Sequence, residues 1–502
     1  MRPLEIVATA ANVLALGSLV LPRVPARAWV RGLTVPVALL LTVVQMLVEG
    51  ARWQLAPVYA STTILFLIWL SGLTRSTALP VNRLLAGFGA GLGVLAIAFS
   101  VLLASVMPVF EFAEPTGRYS IGTTTYHWED TSRPELLTAD ADDHRELMAQ
   151  VWYPAEPRPA EPRTRYLPDS DAVIPALARR LGLPEAVLSQ FGAVTTNAVE
   201  NAPVASDQPD YPVLFVLGGL GSFRSAQTFQ IQELASHGYI VVGLDQPGAA
   251  ISVRFPDGRQ FPGWTKERFA PYINQSWWPR AEAPRLHGTE LPNGIYPYFG
   301  EDVSFALDQL AALDRTDPDG VLAGRLDLDR VGLSGISFGG AAGAQACADD
   351  RRLDACFIMD VQLTADVMEK GMHQPVMFMT RDAATFRLER ETSGGWPNRE
   401  IAGTIDTMTD MYHQLPGAGY YVQVPGLFHL DFTDASGWSP ITRQLGMNGT
   451  IAPERAHEII NAYSLAFFEK HLKGTPSELL DGPSNRFDEA RLAHRDGQRR
   501  SG

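Results

Sequence analysis

Four long apolar runs, at residues 4–21, 30–48, 55–73 and 84–109, open the chain. Each is close to the roughly 20 residues a helix needs to span the hydrocarbon of a bilayer. The first has the length of a secretory leader, but it lacks a cleavage site and three more runs follow, so it reads as an anchor. From residue 117 the pattern changes to short apolar stretches alternating with amphipathic ones. Strands are predicted at 119–126, 147–153, 213–217, 239–244, 331–334, 355–359, 376–380 and 420–424, the first two as an antiparallel pair. Helices are predicted at 172–188, 225–237, 303–313, 339–347, 408–414 and 454–472. Nearly continuous apolar strands separated by helices predict an α/β domain with a mostly parallel sheet, buried on both faces. The expected organisation is an all-α, four-helix transmembrane region at 1–112, an α/β domain at 113–474 and a polar, loosely ordered tail at 475–502. A proline- and aromatic-rich insertion at about 256–298 carries Trp264, Trp277 and Trp278.

Charge changes the picture in two ways. The net charge of -14 is split into +4 over residues 1–112 and -18 over the rest. An acidic bulk excludes nucleic acid as a partner and charge-driven adsorption to anionic lipid. Arginine placement gives an orientation. Arg23, Arg27 and Arg31 lie between the first two runs, and Arg75 and Arg83 between the last two, whereas the middle loop offers only Glu49 and Arg52. Positive charge retained in the cytoplasm puts the N-terminus and the large domain outside, as a multi-pass membrane protein. Glu49 reads as an interfacial acid, and Gly87, Gly89, Gly91 and Gly93 as small residues for close helix packing. Only four lysines stand against abundant arginine, a bias of GC-rich bacterial genomes. Cys347 and Cys356 have no metal-ligand spacing, and two buried thiols are the preferred reading over a disulfide.

One motif carries chemistry. Gly335-Ile336-Ser337-Phe338-Gly339-Gly340 follows a predicted strand and opens a small-residue helix. Strand, sharp turn and helix is the setting in which Gly-x-Ser-x-Gly presents a nucleophilic serine. A serine nucleophile needs a base, an acid to orient it and N–H donors for the oxyanion. Downstream of Ser337, His429 stands in a loop between the last strand and the last helix, where the base is expected. His413 and His457 fall on helices and read as solvated, and His373 precedes a strand. Asp360 and Asp382 both follow strands and compete for the acid; Arg381 beside Asp382 reads as its surface partner. The glycine-rich stretch 218–221 after the strand 213–217 supplies a candidate oxyanion donor in Leu220, with the second from Phe338, the residue after the nucleophile. No phosphate-loop or dinucleotide pattern occurs there, and no cofactor or metal is called for.

At these residues the chain resembles the platelet-activating factor acetylhydrolase family of the plasma and intracellular type-II kind. The resemblance is carried by the serine motif, by Gly219-Leu220-Gly221-Ser222-Phe223-Arg224, by residues 234–241, by 115–122 and 151–155, and by His429-Leu430-Asp431-Phe432. It extends over residues 113–473 and implies an α/β-hydrolase fold and a calcium-independent esterase acting on short acyl chains of lipids. It also favours Asp360 over Asp382. Gly218 and Ile336 stand where the family has histidine, which leaves acyl and head-group preference open. The expectation is a membrane-anchored serine esterase with Ser337, Asp360 and His429 as triad, whose partners are an ester or lipid substrate and the bilayer. The rivals are an acyltransferase using the same residues and an inactive hydrolase-fold receptor.

Overall fold

The computed structural model describes residues 1–20, 28–74, 83–158, 160–482 and 485–496. Arg23, Arg27 and Arg75, on which the orientation rests, lie outside them, as do the side chains of Arg31 and Arg83. The chain forms two units. One comprises Met1–Phe110, Gly182–Val194 and Trp438–Ile441, and the other takes the remainder.

In the first unit the apolar runs form helices α1 (Pro3–Val20), α2 (Ala28–Val48), α3 (Ala56–Thr74) and α4 (Arg83–Val106). Their closest neighbours in space are α1 with α2 and α4, and α3 with α2 and α4, while α1 also meets α3 across the bundle. Two spans, Trp53–Ser71 and Gly87–Val106, are long and apolar enough to cross a membrane; Pro3–Ser18 and Gly32–Val48 are apolar but shorter. The unit is apolar on its outer faces, and inside it apolar side chains such as Leu16, Val58, Leu65 and Ile97 pack beside buried polar ones. Among the described residues, the exposed large hydrophobic side chains lie on these helices except Leu181, Leu183, Leu388 and Leu445. Inside, Asn12 bonds Thr42 (3.2 Å) and Thr62 (2.8 Å), and Tyr59 donates to Gln45 (3.0 Å). Away from water such groups hold helices together because no competing partner is available.

Glu49 follows directly on the last residue of α2. Its carboxylate accepts from the N–H groups of Leu4 (2.8 Å) and Glu5 (3.1 Å), satisfying donors that the first turn of α1 leaves without intrahelical partners. The glycines differ from expectation. A Cβ on Gly93 would meet Leu16 at 2.8 Å, but nothing lies within 4 Å of one on Gly87, Gly89 or Gly91. Only Gly93 therefore serves close packing among the described residues, because the other three face away from the neighbouring helices. Phe191 and Trp438 extend the unit beyond the helices. Their rings lie 4.9 Å apart, Phe191 also meets Phe110, and Ser439 Oγ donates to the Val106 carbonyl at the end of α4.

The second unit is built on one sheet. Its strands are β1 (Ser120–Pro134), β2 (His144–Ala155), β3 (Arg163–Arg165), β4 (Thr195–Glu200), β5 (Tyr211–Leu217) and β6 (Ile240–Asp245). Two small hairpins follow outside the sheet: β7 (Ser252–Arg254) with β8 (Gln260–Pro262), and β9 (Arg285–Leu286) with β10 (Thr289–Glu290). The sheet resumes with β11 (Leu326–Ile336), β12 (Ala355–Met359), β13 (Val376–Thr380), β14 (Gly419–Gln423) and β15 (Arg491–Arg495). The spatial order is β15-β14-β13-β12-β11-β5-β6-β2-β1-β4-β3. From β6 through β5, β11, β12 and β13 to β14 every pairing is parallel. β1, β2 and β6 pair antiparallel, as the opening pair was expected to. The fold is that of a mostly parallel, helix-covered α/β-hydrolase sheet. β5, β6, β12 and β13 are buried at every position, which explains why they read as unbroken apolar runs.

Three features of this unit differ from the sequence reading. Residues 485–496 of the tail are packed rather than loose: β15 adds an antiparallel edge to β14, and Leu480 and Phe487 are fully buried. The helical patch at 172–188 is two helices, Ser170–Leu181 and Glu185–Leu188, interrupted at Gly182, whose φ of +67° cannot continue a helix. Cys347 and Cys356 form a disulfide. The end of helix Ser337–Asp349 lies over the start of β12 and brings the two Cα atoms within 6.7 Å, inside bonding range. The thiol reading failed because a spacing of nine residues does not reveal that the helix doubles back onto the adjacent strand.

Candidate active site

Register places the site before any side chain is considered. Leu217, at the end of β5, lies opposite Gly335 of β11, and Ile336 opposite Met359 of β12. Met359 is opposite Met379, and Thr380 opposite Gln423. The loops after β5, β11, β12, β13 and β14 therefore leave one edge, the carboxyl edge where sites of such sheets collect.

Ser337 is the first residue of helix Ser337–Asp349 and has φ of +55°. That conformation is costly for a residue with a side chain, and the turn is held by backbone contact. A Cβ on Gly339 would lie 2.4 Å from the Gly218 carbonyl oxygen, and one on Gly335 would lie 2.6 Å from the Gly339 oxygen. These glycines let the helix start directly against the loop after β5. One on Gly219 would lie 3.2 Å from Ser337 Cβ, so that loop passes beside the serine. Leu220 follows in the same loop. Phe338, second in its helix, has an N–H with no intrahelical acceptor. Its ring is buried against Phe269, Tyr296 and Phe299.

Asp360 also has positive φ (+45°), and its side chain is fully buried. Its Oδ2 lies 2.7 Å from His429 Nδ1, and Oδ1 accepts from Thr380 Oγ1 at 2.9 Å. Arg381 Nη2 stands 3.2 Å from Oδ2. Burial alone would raise this carboxyl, but the Arg381 charge, with the His429 and Thr380 hydrogen bonds, holds it below the ordinary carboxylate value. His429 opens a short 3₁₀ turn, His429–Phe432, and its side chain is about one-fifth exposed. The buried Asp431 fixes that turn by accepting from the N–H groups of Phe428 (2.7 Å) and Gly449 (2.9 Å). Among the described residues Ser337 Oγ forms no hydrogen bond with His429, whose side-chain bond is to Asp360. Hydrogen bonds of this kind tighten when substrate is held.

Asp382 is elsewhere. It caps the helix Ala383–Ser393, accepting from Thr385 N (2.9 Å) and Thr385 Oγ1 (2.6 Å). Arg381 turns inward to Asp360 instead of pairing with its neighbour. His373 and His413 are exposed. His457 is packed rather than solvated: its ring stacks on Phe229 with centroids 3.8 Å apart, Nε2 donates to the Thr433 carbonyl, and burial lowers it to about 4.

Sequence reasoning missed a second layer. Fully buried Arg381 also pairs with Glu389, whose carboxylate accepts from His429 N–H (3.4 Å). Its guanidinium lies over Phe386 (3.9 Å) and Trp396 (4.6 Å), and the Trp396 ring meets His429 edge-on at 4.9 Å. The signal was a strand running directly into Arg-Asp, but the side chain's direction is not encoded in that spacing. The tryptophan insertion packs around the same edge. Its helix Lys266–Trp277 places Phe269 on Phe338, and Trp277 Nε1 donates to the Gln362 carbonyl (3.2 Å), two residues beyond Asp360. A separate cavity of about 500 Å³ near β1, β3 and β4, lined by Thr124, Gln150, Arg163 and Glu200 among others, includes none of these residues. Among the described residues no cluster of histidine, cysteine and carboxylate side chains is arranged to hold a metal.

Comparison with known proteins agrees with this edge-of-sheet geometry. Residues 106–257 and 319–479 match the model of platelet-activating factor acetylhydrolase, isoform II; the gap takes in the tryptophan insertion. The platelet-activating factor acetylhydrolase of Cavia porcellus is 26% identical over 377 residues, which cover 71% of this chain and 77% of the relative. A probable 1-alkyl-2-acetylglycerophosphocholine esterase of Arthroderma benhamiae is 22% identical over 420 residues, 79% of this chain and 97% of that protein. Among solved structures, a ferulic acid esterase from Streptomyces cinnamoneus superposes with a TM-score of 0.58 at 28% identity, covering 77% of this chain and 99% of that one. With a serine turn, an aspartate–histidine pair and these relatives, the chain is an esterase acting on lipid or other ester substrates, and it belongs to the platelet-activating factor acetylhydrolase family, isoform II.

Proposed function

We propose that the protein is a membrane-anchored serine esterase that removes short acyl groups, phospholipid esters among its substrates, through Ser337, His429 and Asp360. The observation that carries this reading is the 2.7 Å contact between His429 and a buried, ionised Asp360 on the same sheet edge as the strained Ser337. Ser337 Oγ attacks the ester carbonyl while His429 Nε2 takes its proton. Asp360, at Nδ1, holds the ring and stabilises its charged form. The oxyanion is held by the N–H groups of Leu220 and Phe338. Collapse expels the alcohol, which receives the proton from His429. Water activated by the same ring then attacks the acyl-enzyme, releasing the acid and restoring the serine.

The helical unit is the anchor, with all four helices crossing the bilayer and the esterase unit outside the cytoplasm. Arginine placement supports this orientation. So does the Cys347–Cys356 disulfide, a bond that persists in oxidising compartments. Fluorophosphonate labelling tests the nucleophile: wild type labels and Ser337→Ala does not, and equal labelling of both would sink the assignment. An ester panel from acetyl to long acyl, phospholipids included, tests the substrate class by its highest kcat/KM. A reporter fused after Glu114 tests the side of the membrane, and a cytoplasmic signal contradicts it.

A further inference from the structure

We propose that Arg381 is a positioning residue of this site, governing the charge of the Asp360–His429 pair from behind. The inference rests on the triad reading above. Arg381 touches neither the serine nor a substrate. It lies wholly buried between Asp360 (3.2 Å) and Glu389, in the corner formed by Phe386 and Trp396, whose rings stand at 72° to each other. Glu389 in turn accepts from the main-chain N–H of His429, so one guanidinium bears on both the acid's carboxylate and the base's backbone. The aromatic faces leave little room for the group to swing, and a planar cation suits them better than an ammonium.

The other ionisable groups around the pair are few. Asp431 lies beneath the His429 turn, bonded to Phe428 and Gly449 N–H. Tyr421 is half-buried within electrostatic reach of Asp360. Asp382 is committed to its helix cap. Arg381 is thus the cation on the Asp360 side, and it disfavours proton uptake by the pair as a whole, whichever atom receives the proton.

This predicts opposite shifts from two variants. Removing the cation with Arg381→Met moves the acid limb of the kcat/KM–pH profile up by about one pH unit. Removing the anion with Glu389→Gln moves it down by a smaller amount. Arg381→Lys keeps the charge, so its limb stays near wild type while kcat falls through lost orientation. The assay uses the full-length protein in detergent and a soluble acetyl ester, with circular dichroism to establish folding. A purely structural Arg381 would lower stability and leave both limbs in place. Unmoved limbs, or limbs moving in the same direction, overturn the proposal. Should Arg381→Met not fold, Glu389→Gln decides alone: a lowered limb supports the proposal, and an unmoved or raised one overturns it. Full labelling and turnover by Ser337→Ala would instead defeat the triad reading, so the two failures are separable.

Discussion

Opening the Cys347–Cys356 bridge is expected to loosen the esterase unit at the element that carries Ser337. The bond ties the end of helix Ser337–Asp349 to the first turn of β12, whose far end leads into Asp360. It closes a loop with a sequence separation of nine residues. In the chain-entropy account such a loop contributes about 2.6 kcal/mol, close to an 80-fold change in the folding equilibrium. The loss falls mainly on stability, because Ser337 and Asp360 lie at the opposite ends of their elements. The double variant Cys347→Ser/Cys356→Ser is compared with wild type by urea unfolding in detergent, with and without reductant. Wild type should unfold at lower urea once reduced, meeting the variant, while the variant is insensitive to reductant. Equal midpoints for oxidised wild type and variant would refute the reasoning, as would a reductant effect on the variant.

Other expectations follow from the same geometry. Asp360→Asn should lower kcat by about 10⁴, whereas Asp382→Asn should retain turnover and cost at most about 1 kcal/mol as a helix cap; the reverse ranking in ester hydrolysis would reject Asp360 as the acid. Gly339→Ala should prevent folding, because the new Cβ meets backbone oxygens at 2.4 and 2.6 Å, while Gly219→Ala should fold and lose roughly tenfold or more in kcat by pressing on Ser337. Thermal melts of the two would show the contrast. Asp434, which caps helix Thr228–Ser236 through the N–H groups of Thr228 and Phe229, is raised by burial to about 7. The folded state therefore holds a proton that the unfolded state releases above about pH 4, and this group's contribution falls as pH rises from 4 to 7. Against Asp434→Asn, wild type should gain on the order of 3 kcal/mol between pH 7 and pH 4.5; parallel stability curves would count against it.

Much of this was legible in the chain because it is local. The serine turn needs glycines at fixed offsets, and Gly335 and Gly339 show why: each faces backbone at distances that exclude a Cβ. Buried parallel strands need apolar side chains on both faces, so β5, β12 and β13 announce themselves. The position of His429 after the last parallel strand was legible too, and the structure sets it 2.7 Å from Asp360. What escaped was long-range. Arg381 looks like a surface partner of Asp382 until the sheet sets β12 beside β13 and brings Asp360 within its reach. Trp396 and Glu389 belong to a segment with no strand or motif to mark it. His457 lies on a helix whose exposed and buried faces are not separable without Phe229. β15 was read as loose tail because a short, charged edge strand lacks the apolar signature of the central ones.

The two stretches of chain that leave the sheet unit, Gly182–Val194 and Trp438–Ile441, bear on how the enzyme can be handled. A cut near residue 112 looks like a clean way to obtain a soluble esterase. It would remove Phe110 and the end of α4, taking the Phe110 ring from Phe191 and the Val106 carbonyl from Ser439, the neighbour of Trp438. The second stretch begins nine residues after His429, so the bared side chains continue the loop that carries His429. Truncated protein should therefore aggregate or lose turnover through that loop, and a useful soluble form needs Phe191 and Trp438 replaced together with the cut.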